Sequence, residues 1–273
     1  MTAAGTPAAP PSGVRGHLQS EGVGTAGRTY LWDRTDGLMR RLFRRHLRPS
    51  LNEFYQAAQR QEIDPVPILA EAFSVAPDAV RASMQEARSF AEPLTGNRPP
   101  DLRYPEISRM TLTESLLVYA MVRLRPPETV LETGVANGQS TAMILEAMRR
   151  NGKGRLYSVD VSDDVGGLVP AELRSRWTLK VLSRRDAHVA FGAFVQTLPA
   201  IDLFIHDSDH TYPGQWREYS AAWNHLSPSG LLASDDVDWS YAFLDFGRSV
   251  QRRPFVLVTD RKAFGFLPRA GTG

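Results

Sequence analysis

Val130-Leu131-Glu132-Thr133-Gly134-Val135-Ala136-Asn137-Gly138-Gln139-Ser140-Thr141 is the stretch that decides the fold. An apolar run stops at a carboxylate, crosses two glycines and enters an amphipathic segment. That is the pattern of a strand, a tight turn and a helix built to meet a nucleotide. The helix that follows carries Met143, Ile144, Ala147 and Met148 on one stripe, which reads as a core face.

Beyond this unit, short apolar runs alternate with helical patterns. Strands are expected near 128–133, 155–161, 178–183, 201–206 and 230–234, with helices between them, as in a parallel sheet covered on both faces. The helix after the fourth strand places Trp216, Tyr219, Trp223 and Leu226 on its apolar stripe. Phe255–Thr259 and Ala263–Leu267, joined by Asp260-Arg261-Lys262, can pair as an antiparallel hairpin at one sheet edge. The expected fold is α/β, a doubly wound Rossmann-like sheet of seven strands with a helical extension before it.

The extension runs from Tyr30 to Glu92. Leu38, Leu42 and Phe43, then Leu51, Phe54 and Tyr55, then Ile68, Leu69 and Phe73 fall at helical spacings, and strand signals are absent. Gly96, Asn97, Pro99, Pro100 and Pro105 mark a linker, because prolines at that density sustain neither helix nor central strand. Thr113 reads as the N-cap of a helix over 114–123 that closes before Pro126-Pro127. The division is therefore a disordered tail over 1–27, a helical extension and linker over 28–105, and the sheet domain over 106–273.

Composition narrows the class. Of 273 residues, 42% are hydrophobic and 23% charged, as in an ordinary globular chain, and no apolar run approaches the roughly 20 residues a membrane helix needs. Residues 1–27 lack the apolar segment of a signal peptide, so a cytoplasmic protein that engages no membrane is expected. Cysteine is absent, so any metal must be held by carboxylate, imidazole, carbonyl or water. The net charge is only +2 with acids and bases interleaved, which argues against nucleic acid as a partner. Arg40, Arg41, Arg44, Arg45 and Arg48 form the one basic cluster, a solvated helix face or an anion contact. Trp32, Phe43 and Phe90 are candidate exposed aromatics that leave room for a homodimer.

In an open parallel sheet, ligands bind beyond the carboxyl ends of the strands near the switch in strand order. The dinucleotide pattern Gly-x-Gly-x-x-Gly is absent. Gly134 and Gly138 are spaced Gly-x-x-x-Gly with Glu132 two residues before the first, a turn better suited to S-adenosylmethionine (SAM). Glu132 can reach the amino-acid part of such a ligand, and Ser140 can contact its carboxylate or cap the helix. Asp160, closing Leu156-Tyr157-Ser158-Val159, stands where a carboxylate accepts bonds from ribose hydroxyls. Asp186 and Ala187 follow the third strand, where an adenine amino group would lie; capping by Asp186 of the next helix, over 187–196, is an equal reading.

Ile201-Asp202-Leu203-Phe204-Ile205-His206-Asp207-Ser208-Asp209-His210-Thr211-Tyr212 joins a strand to a very polar loop, and Leu231-Leu232-Ala233-Ser234-Asp235-Asp236 ends in paired acids. The two strands should be neighbours, which would bring Asp207, Asp235 and Asp236 together. Clustered carboxylates repel unless a cation offsets them, and an all-oxygen set suits Mg2+; helix capping or Arg pairing is the competing structural use. His210 stands three residues after Asp207 and is the candidate general base, with His206 a weaker one held against the sheet.

In this order, Glu-x-Gly-x-x-x-Gly-x-Ser-Thr, Tyr-Ser-Val-Asp, Asp-x-Asp-His-x-Tyr and Ser-Asp-Asp resemble the metal-dependent sugar O-methyltransferases typified by macrocin O-methyltransferase, over roughly 113–267. The resemblance implies a class I SAM-dependent methyltransferase in which Asp207, Asp235 and Asp236 hold Mg2+ and His210 is the base. It implies a small-molecule acceptor with a free hydroxyl, a sugar or other natural-product scaffold. Catechol-type O-methyltransferases share this arrangement more distantly, usually with Asp-Asn where Asp235-Asp236 stands here. The segment 30–92 has no counterpart in that family.

Overall fold

A computed structural model describes residues 59–61, 64–96, 102–104, 110–259 and 262–270. The chain divides after Arg48 into two units, and all of these residues lie in the second. The tail over 1–27, the Arg40 to Arg48 cluster, Trp32 and Phe43 lie outside the described residues.

The sheet is built outward from β2 (Thr129–Thr133). It pairs in parallel with β3 (Arg155–Asp160) on one side and with β5 (Ile201–His206) on the other. β4 (Trp177–Val181) extends the first side and β6 (Leu226–Ser234) the second, both parallel. The hairpin of β7 (Phe255–Thr259) and β8 (Lys262–Pro268) then adds to β6 through β8, which runs antiparallel to both neighbours. The seven expected strands are all present and close to their expected bounds.

One strand was not expected. β1 (Gln59–Gln61) pairs in parallel with β7 at Phe255 to Leu257, giving the order β1-β7-β8-β6-β5-β2-β3-β4. Gln-Arg-Gln has no strand signature, so the expectation of no strand before residue 92 is corrected. The open edge of β7 supplies backbone donors and acceptors that any extended segment can satisfy.

Helices cover both faces. α1 (Val66–Phe73), α2 (Pro77–Gly96), α3 (Leu112–Leu124) and α4 (Gln139–Asn151) share a core with Val130, Leu203, Ile205 and Phe266. α5 (Ala187–Val195), α6 (Tyr212–His225) and α7 (Ala242–Ser249) share the other with Leu131, Phe204, Leu232 and Leu267. Successive strand residues thus enter opposite cores, which is why these strands read as unbroken apolar runs. Met143, Ile144, Ala147 and Met148 are all buried on the first side. On α6, Tyr219 is buried while Trp216 and Trp223 pack on the second core from its margin. Phe90 also packs against the core and is not the free aromatic surface expected for a dimer.

α3 starts two residues earlier than its sequence suggested. Thr111, not Thr113, is the N-cap: its hydroxyl accepts from Glu114 N at 3.2 Å, and Thr111 N donates to Glu114 Oε2 at 2.7 Å. This reciprocal pair satisfies two of the helix's orphan donors. Thr111→Ala is expected to cost about 1 kcal/mol of stability in urea unfolding, and Thr113→Ala no more than about 0.5 kcal/mol. Equal losses in the two variants would refute this assignment of the cap.

Candidate active site

The β2–α4 turn is shaped by the protein's own backbone. Gly134 has φ +81°, and a Cβ there would run into the carbonyl oxygen of Asp207; at Gly138, φ +86°, a Cβ would lie 2.7 Å from Gly166 Cα. Both positions need glycine for backbone angle and for space. The segment after β3 closes over this turn, with Gly166 N donating to Ala136 O at 2.9 Å and Leu168 N to Asn137 O at 2.8 Å.

Glu132 is fully buried beside the turn. Its carboxylate accepts from Ser140 Oγ at 2.5 Å, Thr141 Oγ1 at 2.7 Å and Ser158 Oγ at 2.6 Å. Burial raises its pKa, and the three hydroxyls oppose that rise. Ser140 therefore serves Glu132 while Gly138 occupies the N-cap position of α4. Asp160, half-buried at the end of β3, ties two loops together: Oδ2 accepts from Val135 N at 2.9 Å and Ala136 N at 3.4 Å, and Oδ1 from Val161 N at 2.7 Å and Ser162 N at 3.0 Å. Asp186 stands in the N-cap position of α5, yet its side chain makes no capping bond and is exposed. The capping role is corrected; the carboxylate after β4 faces solvent, with Ala187 half-buried behind it.

Across β2, the sheet ladder continues past its strands. Asp207 N donates to Thr133 O at 2.8 Å, and Asp235 N to His206 O at 2.9 Å, which places the two polar loops side by side. His210 Nε2 then lies 3.7 Å from Asp207 Oδ1 and 3.7 Å from Asp236 Oδ2. Asp236 reaches this place through a left-handed backbone, φ 49°. Asp235 is buried, 1% exposed. The cation site expected from the sequence comprises three acids, Asp207, Asp235 and Asp236. An imidazole stands between two of them, and among the described residues no group of three His, Asp or Glu side chains is arranged to hold a metal ion.

A layer of buried polar groups beneath this loop was not foreseen. Glu218, on α6, accepts from Thr133 Oγ1 at 2.7 Å and from Ser208 Oγ at 2.9 Å, joining the end of β2 to the β5–α6 loop. His206, wholly buried, has Nε2 3.5 Å from Glu218 Oε2, and its ring meets those of Tyr219 and His210 edge-on at 5.2 Å and 5.7 Å. Burial first and then His210 hold the His206 pKa well below its ordinary value, so the ring is neutral. Tyr219 and Ser234 hydroxyls lie 2.7 Å apart, and His206 Nδ1 is 3.4 Å from Ser234 Oγ. The one sequence signal for this layer is that Gln215 and Glu218 share the inward spacing of α6 with Tyr219 and Ala222.

Residues 131–237, from the middle of β2 to the turn after β6, match a family model described as a methyltransferase domain. No curated protein matches the chain significantly. Solved structures similar to it include an O-methyltransferase from Bacillus cereus in complex with S-adenosylhomocysteine (14% identity, 68% of this chain and 89% of that one, TM-score 0.49). Another is the O-methyltransferase TomG from Streptomyces achromogenes, in complex with SAM and involved in tomaymycin synthesis (16%, 71% and 90%, TM-score 0.47). The mycinamycin-pathway methyltransferase MycE, in complex with Mg, S-adenosylhomocysteine and mycinamycin VI, is similar at 15% identity over 70% of this chain and 54% of that one, TM-score 0.46. The sheet order defines a doubly wound Rossmann-like fold, and the matched segment within it is similar to a methyltransferase domain.

Burial raises the Glu218 pKa from 4.5 to about 7, with Asp209 adding to the rise and the Thr133 and Ser208 hydroxyls opposing it. The folded chain therefore holds this proton more tightly than the unfolded chain. The resulting stability is fully present below the unfolded pKa and is lost as pH rises through about 7. Relative to Glu218→Gln, the native protein should lose on the order of 3 kcal/mol between about pH 4.5 and pH 8. Urea unfolding of both proteins across that range checks this; parallel pH profiles would refute it.

Proposed function

We propose that the chain is a SAM-dependent O-methyltransferase in which His210 takes the proton from the acceptor hydroxyl. The observation that carries this reading is His210 Nε2, equidistant at 3.7 Å from Asp207 and Asp236 at the carboxyl ends of adjacent strands. That edge is where open α/β sheets bind ligands.

The residues present fit the cofactor. At the ends of β2, β3 and β4 stand a glycine turn, the Asp160 carboxylate and the exposed, uncapped Asp186, in the order that a nucleoside with an amino-acid tail requires. Asp160 would meet the ribose and Asp186-Ala187 the adenine. The turn from Gly134 to Gly138 would meet the tail, with Glu132 and Ser140 supporting it from below. When bound, SAM supplies an electrophilic methyl group on sulfur.

The chain's own residues then handle the proton. His210 Nε2 accepts it as the acceptor oxygen becomes nucleophilic, and the carboxylates of Asp207 and Asp236 stabilise the imidazolium so formed. The ether oxygen carries the methyl group away, and the proton leaves His210 to solvent, to which this side chain is partly open. Among the described residues no group of three His, Asp or Glu side chains is arranged to hold a metal ion, so no step is routed through Mg2+. The acceptor implied by the sequence resemblance is a hydroxyl of a small molecule, a sugar or other natural-product scaffold of secondary metabolism.

Titration calorimetry should show SAM binding by the full chain and by His210→Ala alike. Conversion of candidate glycosylated or phenolic acceptors, read by mass spectrometry as the gain of one CH2, should fall roughly 100-fold or more in that variant. Turnover should survive exhaustive EDTA. Full activity of His210→Ala would overturn the base, and loss on chelation with recovery on Mg2+ would overturn the metal-free step.

A further inference from the structure

Trp239 is anomalous among the described residues, most of whose large apolar side chains are buried. It is 68% exposed and lies in the turn between β6 and α7, with its ring centroid 5.9 Å from that of His210 and tilted by 44°. A tryptophan left in water forgoes the stabilisation that burial of so large a side chain gives.

Its exposure does not come from a slack loop. The backbone is held on both sides: Val237 N donates to Ala263 O at 3.0 Å, Trp239 N to Asp236 O at 3.1 Å, and Asp238 Oδ1 accepts from Ala263 N at 3.4 Å. Ser240, itself buried, donates to Gln215 Oε1 at 2.5 Å on α6 and accepts from Ala242 N at 3.1 Å at the start of α7. The turn is thus fixed to β8, α6 and α7, and it presents the indole from an anchored backbone beside the proposed base. A preorganised aromatic face of this kind binds flat carbon surfaces with little ordering cost.

The loops at this edge also select charge. Residues 206–212 and 235–241 hold Asp207, Asp209, Asp235, Asp236 and Asp238 and no Arg or Lys. Apart from the two histidines they hold no cationic side chain to meet a phosphate or carboxylate, whereas an amino group would be attracted by the acids and by the indole face.

We infer that Trp239 is the platform for the methyl acceptor, and that the acceptor is a neutral or cationic ring compound, a sugar or an arene, lying on the indole with its hydroxyl toward His210. This rests on the O-methyltransferase reading. It adds what that reading lacks: a substrate-binding residue and a rule excluding anionic acceptors.

The test is saturation-transfer NMR on the full chain loaded with S-adenosylhomocysteine. The probes are methyl β-D-glucopyranoside, catechol, glucose 6-phosphate and 3,4-dihydroxybenzoate. The glucoside or catechol should receive saturation, and which of the two does so separates a sugar face from an aromatic one. Both anions should receive little. In Trp239→Ala the affinity should fall about five- to ten-fold, the weight of one aromatic stacking contact, and Trp239→Phe should recover most of it. Calorimetry should show unchanged S-adenosylhomocysteine binding in both variants. Equal probe binding by Trp239→Ala and the native protein, no binding of either neutral probe, or preferential binding of an anion would each overturn the inference while leaving the methyltransferase reading in place. Failure of the native protein to bind S-adenosylhomocysteine would overturn both.

Discussion

The functional edge depends on the double parallel pairing of β2. Its backbone bonds to β3 on one side and β5 on the other, and the ladder runs past both strand ends, as Gly134 N donating to Val159 O at 2.9 Å and Asp207 N donating to Thr133 O at 2.8 Å show. These bonds bring the β2–α4 turn, the Asp160 loop and the Asp207 loop to one place. The approach is so close that Gly134 has no room for a side chain against Asp207. A residue larger than glycine there would push apart the two halves of the site, whatever its chemistry.

Two glutamates, Glu132 buried and Glu218 largely buried, brace this junction from opposite sides. Glu132 gathers three hydroxyls from β3 and α4 and fastens the helix to the cofactor half of the sheet; Glu218 gathers two from β2 and the β5–α6 loop and fastens the proposed catalytic half. Buried carboxylates are costly unless their oxygens are hydrogen-bonded, and both are supplied with donors. The difference lies in their consequences. Glu132 holds a turn that glycine geometry already constrains, whereas Glu218 holds the loop that carries Asp207 and His210 and has a pKa raised to about 7. Protonation near neutrality therefore bears on the loop that carries Asp207 and His210, through the hydroxyls of Thr133 and Ser208.

Most of the sheet was legible before any coordinates. Val130, Leu131, Phe204 and Ile205 each had to be apolar because a doubly covered sheet buries both strand faces, and such runs stand out in sequence. The strand Gln59–Gln61 was illegible because its pairing is a property of the edge of β7 and not of its own side chains. The N-cap of α3 was misplaced by two residues because Thr111 and Thr113 are both plausible caps in sequence, and only the reciprocal bond with Glu114 distinguishes them. Glu218 was passed over because a glutamate on an amphipathic helix ordinarily faces water. Its burial follows from the rotation of α6 against β5, which the pattern of Trp216, Tyr219 and Trp223 specifies only loosely.

The sequence by itself determined the class of fold, the glycine turn after β2 and the loops that bear Asp207, His210, Asp235 and Asp236. Those follow from local periodicity and from the backbone freedom of glycine, which act over a few residues. The tertiary structure alone decided how the charged groups are grouped: an imidazole between Asp207 and Asp236, Asp235 buried, Glu218 beneath them, and Trp239 held in the open beside His210. The physical reason is that burial and charge neighbourhood depend on strand register and loop path, and these relations join residues far apart in the chain.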